Sequence, residues 1–235
     1  MVGESGSQHH QFLIPKVVEQ LSPQNGHHVL DIGCGQGVLA PHIAKKKATY
    51  TGIDISPTLI KQARKHHGTK GRFIVGNAHD LRSIPELTAG TYNSAVFLLS
   101  IQDMRYPEKA IISAGWALKP GGTLVLCMLH PAFRIPRQSG WGFDEKRKLI
   151  YRRIDSYLSR LDVPLRKDYQ TKETLTRSYH RPVGFYVNAL SSRNIHTTGF
   201  EELPSPKSNN EVLSKPERRA LCEFPLFLII TAKKA

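Results

Sequence analysis

Short apolar runs alternate with amphipathic stretches along the N-terminal half of the chain. Five runs have the length of a strand and are bounded by turn residues, and they predict strands around Val29, at 48–56, from Arg72, at 92–99 and at 123–129. Apolar positions at helical spacing predict helices at 8–21, 57–66 and 106–118. Strands that alternate with helices favour a doubly wound, Rossmann-like α/β fold with helices on both faces of the sheet.

The C-terminal half adds two strands and a long connection before them. Strands are predicted at 199–203 and 225–232, which brings the sheet to seven strands. A helix is expected at 183–193, and the polar stretch 207–219 is expected to be a loop. We therefore expect a single domain over 1–235, with an N-terminal helical segment at 1–28 and an insertion at 131–182.

A glycine-rich turn directly follows the apolar pair Val29-Leu30. Its sequence is D-I-G-C-G-Q-G, at residues 31–37. Alternate glycines let the backbone adopt positive φ and approach a ligand without Cβ atoms in the way. Asp31 ends the predicted strand, where its carboxylate suits a cationic amino group. The turn is therefore predicted to hold a cofactor.

A second carboxylate, Asp54, ends the next predicted strand. An acidic residue about 20 positions after a glycine turn, at the end of the following strand, is placed to accept from ribose hydroxyls. Ser56 is a predicted N-cap for the helix at 57–66, and Ile55 is available to pack on a purine ring. Asp54 is therefore the predicted ribose ligand.

The spacing D-x-G-x-G-x-G differs from the dinucleotide fingerprint G-x-G-x-x-G, and it resembles motif I of class I S-adenosylmethionine-dependent methyltransferases. The resemblance covers residues 29–130, with Asn77-Ala78 after the third strand and L-K-P-G-G-T-L before the fifth. Within that class it resembles the broad type 11 group that includes ubiquinone and menaquinone methyltransferases. A Rossmann domain for another nucleotide would explain the glycine turn and the acidic strand end, but not Asn77-Ala78 or the L-K-P-G-G-T-L segment.

The resemblance implies S-adenosylmethionine as cofactor, S-adenosylhomocysteine as product, and a mostly parallel seven-stranded sheet with an antiparallel last strand. It also implies that Asp31 faces the methionine ammonium. Asn77 departs from the family's usual Asp, although its amide oxygen can accept from the adenine amino group, and Asp80 is a substitute. The implied cofactor residues are Asp31, Gly33, Cys34, Gly35, Gly37, Asp54, Ile55, Asn77, Ala78 and Leu98.

Composition is ordinary for a globular protein, with 40% hydrophobic and 22% charged residues. No apolar run reaches the roughly 18 residues that would span a bilayer, and the first residues lack a signal-peptide pattern, so a cytoplasmic location is expected. The three cysteines, Cys34, Cys127 and Cys222, are widely spaced, so neither a disulfide framework nor a metal site is predicted.

The insertion at 131–182 is strongly basic. Its thirteen Lys and Arg against six Asp and Glu give a net charge of 13 − 6 = +7, half of the chain's formal +14. Ligands of open α/β sheets lie outside the carboxyl ends of the strands, so this segment is predicted to bind the substrate. Within it, residues 149–158 are predicted to form a helix, with the apolar stripe Ile150, Ile154, Tyr157 and Leu158.

Methyl transfer from a sulfonium is an in-line displacement, so alignment and exclusion of water supply much of the rate. Where a proton must leave, histidine is a natural base. Arginine suits an anionic substrate because its guanidinium matches a carboxylate or a phosphate. The candidates are His130 and His180 as bases, Tyr151 and Tyr179 as orienting groups, and Arg152, Arg181 and Arg134 as anion ligands. A structural or solvated role is the competing interpretation for each.

Three functions are consistent with these residues. The first is methylation of an oxygen or nitrogen atom, less readily of carbon, in a small and anionic metabolite. The second is RNA methylation, since a basic insertion with interleaved aromatic residues suits phosphates and bases. Against it, the fourth strand is followed by S-I-Q-D and not by the N/D-P-P-Y/F motif of enzymes that methylate exocyclic base amines. The third is cofactor binding without catalysis.

Overall fold

The structure is a computed structural model that describes residues 8–165, 176–209 and 211–235. The strands, in chain order, are β1 (His28–Ile32), β2 (Thr49–Asp54), β3 (Arg72–Val75), β4 (Tyr92–Leu98), β5 (Leu118–Leu129), β6 (Ser139–Asp144), β7 (Leu149–Ile154), β8 (Leu161–Leu165), β9 (Thr176–His180), β10 (Ile195–Leu203) and β11 (Phe227–Lys234). The helices are α1 (Gln8–Leu21), α2 (Ala40–Lys45), α3 (Pro57–His67), α4 (Pro107–Ala117), α5 (Val183–Ser191) and α6 (Lys215–Glu223).

Seven strands form the central sheet in the order β10-β11-β5-β4-β1-β2-β3. Strands β1 to β5 pair in parallel, whereas β11 runs antiparallel to both β5 and β10. The predicted fold class is therefore confirmed, including the antiparallel last strand. The strand order reverses between β1 and β4, which is where open α/β sheets bind their ligands.

Helices cover both faces of this sheet. On one face, α1, α2 and α3 bury side chains such as Leu13, Ile43 and Ile60. On the other face, α4 and α5 bury Ile111 and Tyr186 among others. Burial of these apolar stripes is the main favourable term for the fold. Because β1, β2, β4 and β5 pair in parallel, their carboxyl ends lie along one edge of the sheet.

The predicted helix at 149–158 is wrong, because Leu149–Ile154 is strand β7. It pairs antiparallel with β6, and Arg147 N–H donates to Asp144 Oδ1 at 3.0 Å in the turn between them. Two residues of the proposed apolar stripe, Ile154 and Leu158, are 41% and 79% exposed. A second hairpin joins β8 and β9. The insertion therefore consists, in its described residues, of two hairpins beside the main sheet.

The prediction that 207–219 is a loop is wrong from Lys215 onward, because helix α6 begins there. Helix α6 begins at Lys215 with a capping box, in which Ser214 Oγ accepts from Glu217 N–H and the Glu217 carboxylate accepts from Ser214 N–H. The sequence signal for this start, S-x-x-E, was present at 214–217. No helix among the described residues is long and apolar enough to cross a bilayer.

Candidate functional site

The glycine turn has the conformation that its sequence predicts. Gly33, Gly35 and Gly37 have φ of 75°, 54° and 75°. A Cβ on Gly33 would lie 2.6 Å from Ser100 Cβ, and one on Gly37 would lie 2.4 Å from the Phe73 ring. A Cβ on Gly35 would meet nothing within 4 Å. Gly33 and Gly37 are therefore needed for packing, whereas Gly35 faces open space that a ligand can enter.

Asp54 connects this turn to the start of α3. Its Oδ2 accepts from Gly35 N–H at 2.9 Å, and its Oδ1 accepts from Ser56 N–H at 2.9 Å. Ser56 caps α3 as predicted, because its hydroxyl accepts from Leu59 N–H. The neighbouring Ile55 is 70% exposed beside the turn, where an adenine ring would cover it. Each Asp54 oxygen keeps a second lone pair for a ribose hydroxyl.

Asp31 is a buried carboxylate with an unused acceptor. It is 1% exposed, its Oδ2 accepts from Tyr50 Oη at 2.7 Å, and its Oδ1 has no hydrogen-bond partner among the described residues. Burial raises the pKa of Asp31 to about 7, against the opposing effect of the Tyr50 hydrogen bond. Buried polar atoms are rarely left without a partner. A cationic ligand group, such as the methionine ammonium, fits this site.

This raised pKa predicts opposite pH effects on stability and on binding. Below about pH 4 the Asp31 carboxyl is protonated in both the folded and the unfolded protein. As the pH rises from there to about 7, the folded protein keeps a proton that the unfolded chain has lost, so the free energy of unfolding falls. A bound ammonium favours the ionised form, so S-adenosylhomocysteine affinity should rise about tenfold per pH unit up to 7. Calorimetry between pH 5.5 and 8 measures this. Asp31→Asn should remove the dependence, and an unchanged slope in that variant would contradict the role.

The remaining predicted cofactor residues lie at the ends of β1, β3 and β4. Asn77 Oδ1 already accepts from His79 N–H at 3.0 Å, so it has one lone pair left for adenine. Ala78 is partly buried beside it, whereas Leu98 packs in the core. Burial raises the pKa of the Cys34 thiol, which stays neutral and fits as a small side chain in the turn.

The segment after β4 lies directly against the glycine turn. Ser100 Oγ donates to Ile32 O at 2.6 Å, and the preceding Leu99 has a φ of 55°, which is strained for a side chain of its size. Gln102 Nε2 donates to Leu99 O at 3.0 Å, while its buried Oε1 has no partner among the described residues. Such strain at a strand end is typical of functional sites.

Gln102 also borders a small cavity of about 40 Å³ at the carboxyl ends of β4 and β5, which we name the inner pocket. Its wall is formed by residues after these strands, by β9 and by α5: Gln102, Met128, Leu129, Pro131, Arg134, Pro136, Ser178, Tyr179, His180, Arg181 and Tyr186. Three of the predicted catalytic residues, Tyr179, His180 and Arg181, therefore come together here. Gln102 and Tyr186 were not predicted, because neither belongs to a recognisable motif.

His180 has the chemistry of a neutral base. Its Nε2 lies 2.7 Å from the carbonyl oxygen of Tyr157, so Nε2 carries the hydrogen and Nδ1 is left as the acceptor. Burial lowers the pKa of His180, with a further contribution from Arg181 and an opposing one from the Tyr157 hydrogen bond. His180 is therefore uncharged near neutral pH and able to accept a proton.

His130 is placed differently. Its Nε2 is 2.7 Å from Glu202 Oε1, and its Nδ1 accepts from Ala132 N–H at 3.2 Å. Burial lowers the pKa of His130 more than Glu202 raises it. Both ring nitrogens thus have protein partners, and the side chain joins the end of β5 to β10. The structure gives His130 no free nitrogen with which to act on a substrate.

Tyr151 and Arg152 do not border the inner pocket, and as neighbours on strand β7 their side chains point to opposite faces of the hairpin. Arg152 donates to Phe133 O at 2.7 Å and to Ser139 Oγ at 2.8 Å, and it lies over the Trp141 ring. The exposed Tyr151 ring lies over Gly142, where a Cβ would be 2.3 Å from it. Arg152 therefore braces the first hairpin, and Tyr151 covers its outer face.

Comparisons with known proteins agree with this geometry. Residues 30–126 match the family model described as a methyltransferase domain. A ubiquinone biosynthesis O-methyltransferase from Xanthomonas axonopodis pv. citri is 31% identical over 105 residues, which are 45% of this chain and 44% of that protein. One of the same name from Vibrio parahaemolyticus is 33% identical over 117 residues, 48% of each. The chain thus spans about half the length of the curated relatives it matches.

The fold of the whole chain is also found among solved structures. An S-adenosylmethionine-dependent methyltransferase from Mesorhizobium loti superposes with a TM-score of 0.76 at 22% identity, covering 98% of this chain and 100% of that one. This likeness shows the fold, and the match to a methyltransferase domain covers residues 30–126. The predicted class and its cofactor, S-adenosylmethionine, are confirmed. No cluster of three or more metal-ligating side chains occurs in the described parts of the chain.

Proposed function

We propose that this protein transfers the methyl group of S-adenosylmethionine to an oxygen or nitrogen atom, less readily to carbon, of a small anionic metabolite. The observation that carries this proposal is the position of the inner pocket. Gln102 borders it, two residues after Ser100, whose side chain contacts both β1 and the glycine turn. An acceptor in the pocket would therefore face the reactive end of a cofactor held along Asp31, Gly35 and Asp54.

The residues of the pocket suit transfer to a group that loses a proton. S-adenosylmethionine supplies an electrophilic methyl group when bound. The free Oε1 of Gln102 can accept from the acceptor's O–H or N–H and so orient it. The Nδ1 of the neutral His180 can take the proton. Apolar walls such as Met128 and Leu129 exclude water from the displacement.

An oxygen acceptor has the additional support that the curated relatives are named O-methyltransferases. Their similarity covers about half of each protein, and the family-model match at residues 30–126 includes the glycine turn and Asp54. The identity of the acceptor therefore depends on the insertion and on the C-terminal elements, which form most of the inner pocket.

RNA methylation is the second candidate, and one observation favours it. The first hairpin exposes the aromatic side chains Trp141, Phe143 and Tyr151, and its turn carries K-R-K at 146–148. Exposed rings beside cations suit base stacking and phosphate contacts. A binding protein without turnover is the third candidate, since the fold itself does not require catalysis.

Incubation with methyl-labelled S-adenosylmethionine separates these candidates. Purified protein is mixed with host extract, and the label is followed into small-molecule, RNA and protein fractions. We expect label in the small-molecule fraction. Nuclease-sensitive label in RNA would replace the metabolite proposal with the second candidate, and no transfer despite measured cofactor binding would favour the third.

A further inference from the structure

A second cavity opens beside the inner pocket on its solvent side. It has a volume of about 290 Å³, and we name it the outer cleft. Tyr179 and Arg181 border both cavities, so the two are adjacent. The other residues of the outer cleft are Arg105, Tyr106, Glu108, Arg160, Leu161 and Asp162.

Two guanidinium groups of the outer cleft are held in place without being hydrogen-bonded to other described residues. Arg105 lies over the Tyr106 ring at 5.4 Å, and Arg160 lies over the Phe185 ring at 5.5 Å. Stacking occupies the face of a guanidinium and leaves its N–H edge for a ligand. The N–H groups of these two arginines are therefore available to a ligand, whereas Arg152 and Arg181 donate to protein acceptors.

Arg181 has a positioning role here. Its Nη1 donates to His180 O at 3.0 Å, and its Nη2 donates to Arg105 O at 2.9 Å. It thus fixes the backbone of Arg105, which borders the outer cleft, to that of His180, which borders the inner pocket. Arg181 therefore links backbone segments that border the two cavities.

The balance of charge in the outer cleft is positive. Three arginines face two carboxylates, Glu108 and Asp162. Asp162 is paired with Arg177, a fourth arginine that lies outside the lining. The cleft therefore retains an excess of cationic groups, and the aromatic side chains Tyr106 and Tyr179 also border it. This combination suits an aromatic anion.

We propose that the outer cleft binds the carboxylate or phosphate of an aromatic substrate whose methyl-accepting end enters the inner pocket. The placement of the methyl-accepting end in the inner pocket rests on the proposed function, whereas anion binding rests on the outer cleft alone. The selectivity for an anion then comes from Arg105 and Arg160, neither of which was singled out from the sequence. Both lie on the rim and outside the predicted catalytic set.

Calorimetric titration with phenyl phosphate tests this inference without any methyl transfer. Phenol is the neutral comparison, and both are measured at fixed ionic strength with and without S-adenosylhomocysteine. The variants are Arg105→Gln and Arg160→Gln. The matched control is Arg193→Gln, an exposed arginine beyond the end of α5 and outside both cavities.

We expect wild type and Arg193→Gln to bind phenyl phosphate equally, and each cleft variant to bind about tenfold more weakly, since a charge-assisted contact is lost. Phenol should bind at least about tenfold more weakly to wild type. Equal binding by all four proteins, or no binding by any, would overturn the inference. If wild type transfers methyl groups but does not bind phenyl phosphate, only the anion-binding role of the outer cleft is refuted. If it binds phenyl phosphate through the cleft arginines but transfers no methyl group, only the proposed function is refuted.

Discussion

Asp54→Ala is expected to weaken S-adenosylhomocysteine binding by about a hundredfold. The substitution removes the acceptors for Gly35 N–H and Ser56 N–H, which hold the glycine turn against the start of α3. It also removes the oxygens that are free to accept from ribose. Hydrogen bonds to a charged group contribute about 1.5–3 kcal/mol each, and every 1.4 kcal/mol is about a tenfold change in affinity.

Isothermal titration calorimetry measures this effect directly. Glu86→Ala is the matched control, because its exposed carboxylate lies between β3 and β4, outside the predicted cofactor residues, and makes no side-chain hydrogen bond with the described residues. Thermal unfolding should show that both variants are folded. If Asp54→Ala bound S-adenosylhomocysteine as tightly as wild type and Glu86→Ala do, the ribose assignment would be wrong.

His180→Gln is expected to lower kcat by about a hundredfold or more while S-adenosylhomocysteine affinity stays within about twofold, because a positioned base contributes about 10²–10⁴-fold to a proton transfer. Glutamine keeps an N–H that can donate to Tyr157 O, so the local fold should survive. The wild-type rate should fall at pH values below the lowered pKa of His180 as the imidazole becomes protonated. The variant should lack this decline.

The control is His196→Gln, an exposed histidine on β10. It should leave the rate and the pH profile unchanged. Equal rates for wild type and His180→Gln, measured with the acceptor found by the labelling experiment, would show that alignment alone drives the transfer. The base would then have to be solvent or the ionised acceptor itself.

The sequence predicted the cofactor half well because its signals are local. Strands β1 to β5 are short apolar runs, and the glycine turn and Asp54 are recognised by spacing within one continuous segment. The error at β7 arose because Ile150, Ile154, Tyr157 and Leu158 happen to have helical spacing. Their true partners are residues 139–144, and a hydrophobic pattern does not encode that pairing.

The acceptor side was harder to predict because it is assembled from distant elements. The inner pocket joins the ends of β4 and β5 to β9 and α5, so Gln102 and Tyr186 are neighbours only in the fold. The charge of the insertion likewise could not show which arginines are free. Arg152 is engaged by protein acceptors, while Arg105, before α4, keeps its donors.

The central claim is that the cofactor lies along the carboxyl ends of β1, β2 and β4. Titration of ¹⁵N-labelled protein with S-adenosylhomocysteine, followed by amide chemical shifts, tests it most directly. We expect the largest shifts at Gly33–Gly37, at Ile55, at Ala78 and at Leu99–Ser100, with little change on the β6–β7 hairpin. Shifts confined to the hairpin or to the insertion, with the glycine amides unmoved, would contradict the account.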